Sequence, residues 1–188
     1  MLTLYWSPGA SSLAPHIALH EIGVPFEARP VLIPKGEHKK PEYLALNPEG
    51  KIPTFLIDGR IMTEVAAILW YLARTYPQAN LLPAGEIEAE AQIISWMSFC
   101  ASTLHPARRA GVERWREVFG LAEKKLDGRD WAVDRYSIAD IHLFRLFWRF
   151  VVSEHPAPGD YPALTAHYER MMARPAVKRT LAVEEAVG

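Results

Sequence analysis

The sequence predicts an α/β half followed by an all-α half. Three observations carry that reading. Short β-favouring runs alternate with helical segments through residue 76. A stretch bearing Pro77, Pro83 and Gly85 then breaks the pattern. Beyond it, every periodic segment is helical. The expected division is residues 1–76 as the first domain, 77–85 as a linker and 86–188 as an all-helical second domain.

Leu2 to Trp6 is an apolar run that Ser7-Pro8-Gly9 ends. A helix follows from about Ser12 to Ile22, with Ser11 or Ser12 as N-cap and Gly23 as the stop. Pro15 then falls in the first turn, where its missing N–H costs little. A second strand is expected near Phe26 to Leu32, then a polar exposed loop over 34–40 and a short helix from Pro41 to Leu46. Asn47-Pro48-Glu49-Gly50 closes that helix. Strands at Thr54 to Ile57 and Arg60 to Met62 flank Asp58-Gly59, a type I′ hairpin signal. From Thr63 to Tyr76 the period is helical, with Ala66, Leu69, Trp70 and Ala73 on one stripe. The order β-α-β-α-β-β-α argues for a mixed sheet with helices on both faces.

In the second half, helices are expected over Ile87 to about His105, Val112 to Leu126, Ser137 to Val152 and Tyr161 to Ala173, with a tail helix after Pro175. Ser137-Ile138-Ala139-Asp140 is a capping box, with Tyr136 and Ile141 placed as its hydrophobic staple. This is a folding signal rather than chemistry.

Composition narrows the function classes. Hydrophobic residues at 49% and charged residues at 23% suit a folded soluble protein. A formal net charge of −1 gives no attraction to nucleic acid or an anionic membrane. No apolar run approaches the roughly 20 residues that span a bilayer, and the N-terminal residues lack signal-peptide features. The one cysteine, Cys100, excludes an internal disulfide and a cysteine-rich metal site. Its context, Trp96-Met97-Ser98-Phe99-Cys100, reads as a small buried hydrophobe. A cytoplasmic location is expected. His16 and His20 stand four apart, but no third ligand accompanies them, so no metal is expected. Arg108, Arg109, Arg114 and Arg116 form a basic run that suits either an anionic substrate or a solvated helix face.

Three motifs, in order, point to one family: Ser7-Pro8-Gly9-Ala10-Ser11-Ser12-Leu13 after the first strand, Asn47-Pro48-Glu49-Gly50-Lys51-Ile52-Pro53 before the third, and Thr63-Glu64-Val65 opening a helix. Together with the Ser137–Asp140 helix start, they resemble the cytosolic glutathione transferases, most closely the bacterial beta class. The resemblance spans nearly the whole chain. It implies a thioredoxin-like N-terminal domain that binds glutathione, a helical second domain and a homodimer. Glutathione is an extended anionic tripeptide, and an open backbone edge at Ile52 before Pro53 suits its cysteinyl part. In the family the bond before this proline is cis. The resemblance further implies that Glu64 and the N–H of Val65 hold the γ-glutamyl ammonium and carboxylate. An acid at a helix start also has a plain macrodipole explanation. Serine or glycine is commoner at position 65, so one side-chain hydrogen bond is absent here. Lys35 resembles a lysine that pairs with the glycine carboxylate, and Lys51 joins the glutathione-binding set. Ser102 and His105 match residues that approach the same pocket from the second domain.

Enzymes of this family lower the pKa of the glutathione thiol, because the thiolate is the nucleophile. Moving a thiol from about 8.5 to about 6.5 raises its ionised fraction at pH 7 from roughly 3% to roughly 75%. Beta-class proteins carry cysteine where this chain has Ser11, and tyrosine-type members carry tyrosine where it has Trp6. A serine hydroxyl can donate to the sulfur, so Ser11 is the first catalytic candidate and Ser12 the second. Their other reading is as helix caps. Without a cysteine at this position, thiol exchange through the protein is excluded there. The segment between His105 and Ser137 is shorter than in family members, which implies an open second-substrate pocket. The expected function is transfer of glutathione to a small electrophile, with glutathione as co-substrate. The alternative is a non-catalytic sensor or protein-interaction platform of the same fold.

Overall fold

The computed structural model describes residues 1–83 and 85–187; Ala84, in the expected linker, and Gly188 lie outside the described residues. The chain forms two compact units, Met1–Tyr76 with Pro175–Gly188, and Pro77–Arg174.

The first unit contains β1 (Leu2–Trp6), α1 (Leu13–Ile22), β2 (Glu27–Pro30), α2 (Pro41–Leu44), β3 (Thr54–Ile57), β4 (Arg60–Met62) and α3 (Val65–Thr75), the order expected from the sequence. The sheet order is β2-β1-β3-β4. β1 runs parallel to β2 and antiparallel to β3, and β3 pairs antiparallel with β4. Leu4, fully buried, pairs with Ala28 on one side and Phe55 on the other. Thr3 is 3% exposed as well, so β1 is covered on both faces and reads as a continuous run rather than an alternation. Asp58 and Gly59 have φ of 50° and 81°, both positive, as a type I′ turn requires. The expected loop over 34–40 is wound into two short turns, Ile33–Lys35 and Glu37–Lys39.

α1 ends at Gly23, whose left-handed φ of 76° lets its N–H reach the carbonyl of Leu19. α3 buries Val65, Ile68, Leu69, Leu72 and Ala73. Trp70, placed on the stripe by its sequence, is instead 41% exposed with the Arg74 guanidinium over its ring. It lies about 100° around the helix from Leu69, past the edge of the buried face.

The second unit contains α4 (Ile87–Phe99), a π-helical turn (Cys100–Leu104), α5 (His105–Ala107), α6 (Val112–Leu126), α7 (Ile138–Glu154) and α8 (Pro162–Ala173). The helix expected over 87–105 therefore contains a π turn, in which the His105 N–H reaches back to the carbonyl of Cys100. The core is aromatic: Phe119 and Phe150 stack with centroids 4.6 Å apart, and Trp115 meets Phe150 edge-on at 5.1 Å. The capping box forms as expected. The Ser137 hydroxyl accepts from the Ala139 N–H (3.3 Å), and Asp140 accepts from the Ser137 N–H (2.8 Å). Asp140 also takes the Ala132 N–H (2.7 Å) and His167 Nε2 (3.1 Å), so this fully buried carboxylate ties α7 to the preceding loop and to α8. Cys100 is fully buried, and burial pushes its thiol far up, which leaves it inert.

The last helix, α9 (Pro175–Glu185), packs on α1 and belongs to the first unit, whereas the sequence division places it with the helical half. Its buried residues Ala176, Val177, Thr180 and Glu184 face that contact, which no local pattern specifies.

Candidate functional site

β1 delivers the chain into a tight turn: the Ala10 N–H bonds the Ser7 carbonyl (3.0 Å), and the Leu13 N–H bonds that of Ala10 (3.1 Å). Ser12 occupies the N-cap position of α1 but in helical conformation, φ −60° and ψ −20°, and makes no side-chain cap. Its fully buried hydroxyl accepts from the Ser7 N–H (3.1 Å) and donates to the Ser7 carbonyl (3.3 Å). The expected side-chain cap is therefore not made. A cap needs an extended residue at that position, and the turn has already wound Ser12 into the helix. Ser11 is partly buried, and its hydroxyl has no hydrogen bond among the described residues.

α9 fixes this loop from behind. Glu184, 4% exposed, accepts from the Gly9 N–H at 3.0 Å and from His16 Nδ1 at 3.1 Å. Thr180 lies 2.8 Å from His20 Nδ1. The Nδ1 atoms of both histidines thus meet α9, and among the described residues no group of three or more metal-binding side chains converges. Burial, then His16 and Arg179, hold the His20 pKa down at about 4.

The edge before β3 is shaped by a cis Ile52–Pro53 bond. Neither the N–H nor the C=O of Ile52 has a hydrogen-bond partner among the described residues. Tyr43 and Asn47 hold its flanks. The Tyr43 hydroxyl reaches Lys51 O (2.6 Å) and Thr54 Oγ1 (2.7 Å), and Asn47 Nδ2 reaches the same two atoms. The Ile52 side chain clusters with Val31 and Tyr43, and Tyr5 and Ala10 pack against them. The loop bearing Ser11 and the Ile52 edge are therefore joined through one apolar cluster.

Glu64 precedes α3 with φ 67° and ψ 121°, a conformation that costs a non-glycine residue about 1–3 kcal/mol. Its carboxylate is exposed at a helix N-terminus, and Val65 behind it is buried. Lys35 is exposed without an ion pair among the described residues, while Lys51 Nζ pairs with Glu49 at 2.5 Å. In the second unit, Ser102 donates to the Ser98 carbonyl (2.8 Å), and His105 is exposed. The arginine run divides: Arg108 covers the Trp115 ring, and Arg114 pairs with Glu117 at 2.7 Å. Sequence reasoning missed Glu184, Tyr43 and Thr54. Glu184 leaves no local signal, since 175 residues separate it from Gly9. Tyr43 and Thr54 were legible only as helix and strand residues.

The glutathione S-transferase N-terminal domain model matches residues 10–75 and the C-terminal domain model residues 66–175. The chain is 33% identical to glutathione S-transferase GST-4.5 of Xanthomonas campestris pv. campestris, covering 97% of this chain and 98% of that one. A sphingomonad glutathione S-transferase solved in complex with glutathione superposes with a TM-score of 0.85 at 35% identity, over 97% of this chain and 98% of that chain. The bacterial beta class enzyme of Sphingomonas chungbukensis gives 0.84 at 34% identity over the same shares. This chain belongs to the glutathione S-transferase family. Its first unit is that family's thioredoxin-like domain with a four-stranded mixed sheet.

Proposed function

We propose that this chain binds glutathione and transfers it to a small electrophile, with Ser11 activating the thiol. The observation that carries the reading is a hydroxyl left unengaged at the start of α1, on a loop packed into the same cluster as the open Ile52 edge. The Ser11 hydroxyl donates to the sulfur, and the positive dipole end of α1 favours its negative charge. The thiol proton leaves to solvent, the thiolate forms a carbon–sulfur bond, and the electrophile's leaving group departs with its electron pair. Ile52 pairs with the cysteinyl backbone beside Pro53. Glu64 and the Val65 N–H take the γ-glutamyl ammonium and carboxylate, and the strain at Glu64 fits a residue held for function. Lys35 and Lys51 supply positive charge for the glycine carboxylate.

Ser102 and His105 lie in the other unit, and their part in glutathione binding rests on the family resemblance. A homodimer is part of the proposal; each unit exposes large apolar side chains, Trp70 in the first and Ile87 in the second. The cytoplasmic location is part of the proposal and rests on the sequence expectation and the resemblance. No helix among the described residues is long and apolar enough to cross a membrane.

Thermal unfolding with added glutathione tests the reading. A ligand at 100 times its Kd adds about 2.7 kcal/mol to the unfolding free energy. A melt unmoved by millimolar glutathione would overturn the proposal.

A further inference from the structure

Tyr43, Asn47, Lys51 and Thr54 close a ring of hydrogen bonds around the Ile52–Pro53 pair. Tyr43 Oη lies 2.6 Å from Lys51 O and 2.7 Å from Thr54 Oγ1. Asn47 Nδ2 lies 2.9 Å from the same carbonyl and 3.2 Å from the same hydroxyl. Counting protons sets every direction. A carbonyl only accepts, so the single Tyr43 proton goes to Lys51 O, and Thr54 must donate to Tyr43 Oη. The two amide hydrogens of Asn47 then serve Lys51 O and Thr54 Oγ1. Each donor in the ring has its acceptor. Burial holds the Tyr43 hydroxyl above its ordinary pKa, so it stays a donor.

The members are out of water: Tyr43 is 5% exposed, Asn47 4% and Thr54 fully buried. The ring grips the residue before Ile52 and the residue after Pro53. The peptide groups between those grips, which carry the unpaired N–H and C=O of Ile52, are thereby set in direction. The aromatic ring of Tyr43 does a second thing. It belongs to the cluster with Val31 and Ile52 on which Ala10, the neighbour of Ser11, packs. Tyr5 meets it edge-on with centroids 6.0 Å apart.

We propose that Tyr43 is a positioning residue whose hydroxyl aims the Ile52 edge at glutathione and so sets glutathione affinity, while the thiol step is left to Ser11. The inference rests on the glutathione-transferase reading above. Tyr43→Phe keeps the ring and its packing and removes only the hydroxyl, leaving Thr54 without its acceptor and Lys51 O with one donor. Thr54→Val breaks the same ring from the strand side.

Calorimetry with glutathione, thiolate absorbance of the bound peptide and thermal melts are run on the parent and both variants. The expected result is a Kd raised about tenfold in each variant, the scale of one lost hydrogen bond. The thiol pKa of bound glutathione stays where the parent has it. A merely structural Tyr43 gives a lowered melt with unchanged Kd, and that result overturns the inference. So does a thiol pKa that rises together with Kd, because the whole site has then loosened. A parent that binds no glutathione overturns the functional reading itself and this inference with it. If Tyr43→Phe fails to fold, Thr54→Val alone decides between these results.

Discussion

Replacing Ser11 by alanine removes one hydroxyl from the start of α1 and disturbs little else. That hydroxyl has no hydrogen bond among the described residues to lose, so the folding free energy should move by no more than about 0.5 kcal/mol. The proposed sulfur contact is another matter. A hydrogen bond to a charged group contributes about 1.5–3 kcal/mol. One pKa unit corresponds to about 1.4 kcal/mol, so the bound thiol should rise by about one to two units. A thiol at about 6.5 is about 75% ionised at pH 7; one unit higher leaves about 24%, and two units leave about 3%. Conjugation at pH 7 should fall in the same ratio, and the deficit should shrink as the pH is raised. The assay is a pH titration of thiolate absorbance with glutathione bound. Ser12→Ala is the control, because its hydroxyl is spent on Ser7. Removing it orphans a buried Ser7 N–H, which should cost about 1–3 kcal/mol of stability. Ser11→Cys should add thiol–disulfide exchange that the parent lacks: its thiolate attacks glutathione disulfide, forms the mixed disulfide and releases one glutathione thiolate. A Ser11→Ala titration that superposes on the parent, with glutathione still bound, would refute the reasoning.

Glu64→Gly should separate stability from binding. Glycine takes the φ of 67° without strain, so unfolding should become harder by up to about 1 kcal/mol while calorimetry shows weaker glutathione binding; a destabilised variant with intact affinity contradicts both halves. The buried His142 gives a pH signature. Burial, then Arg145 and His105, hold its pKa at about 3, against 6.5 in the unfolded chain. The folded-state pKa is depressed, so the unfolded chain takes up the proton first. Its contribution is therefore complete above about 6.5 and is lost as the pH falls toward 3. His20, held at about 4, acts in the same direction. Urea midpoints followed through that window should fall, and His142→Leu should flatten the slope; an equal slope in the variant assigns the effect elsewhere.

Short-range signals in the sequence determined much of this protein. Asp58-Gly59 specifies its turn because both residues tolerate positive φ, and Gly23 ends α1 for the same reason. Ser137 and Asp140 start α7 because the partners of a capping box lie three residues apart. The motifs at 7–13, 47–53 and 63–65 marked the family and the places where chemistry was to be sought. Tertiary structure decided which partners those places meet. The sequence ranks Ser11 before Ser12 only by its place in the motif, and the return of the Ser12 hydroxyl to Ser7 separates them physically. Trp70 lay on a plausible stripe until the packing of α3 set the edge of the buried face. His16 and His20 found their partners on α9, which the chain reaches only after the whole helical unit. The ring around Ile52–Pro53 needs α2, the loop after it and β3 in their final places. A local signal works through a few consecutive dihedrals. A hydroxyl or carboxylate chooses its partner from whatever the folded chain brings within 3 Å, and no run of neighbouring residues encodes that choice.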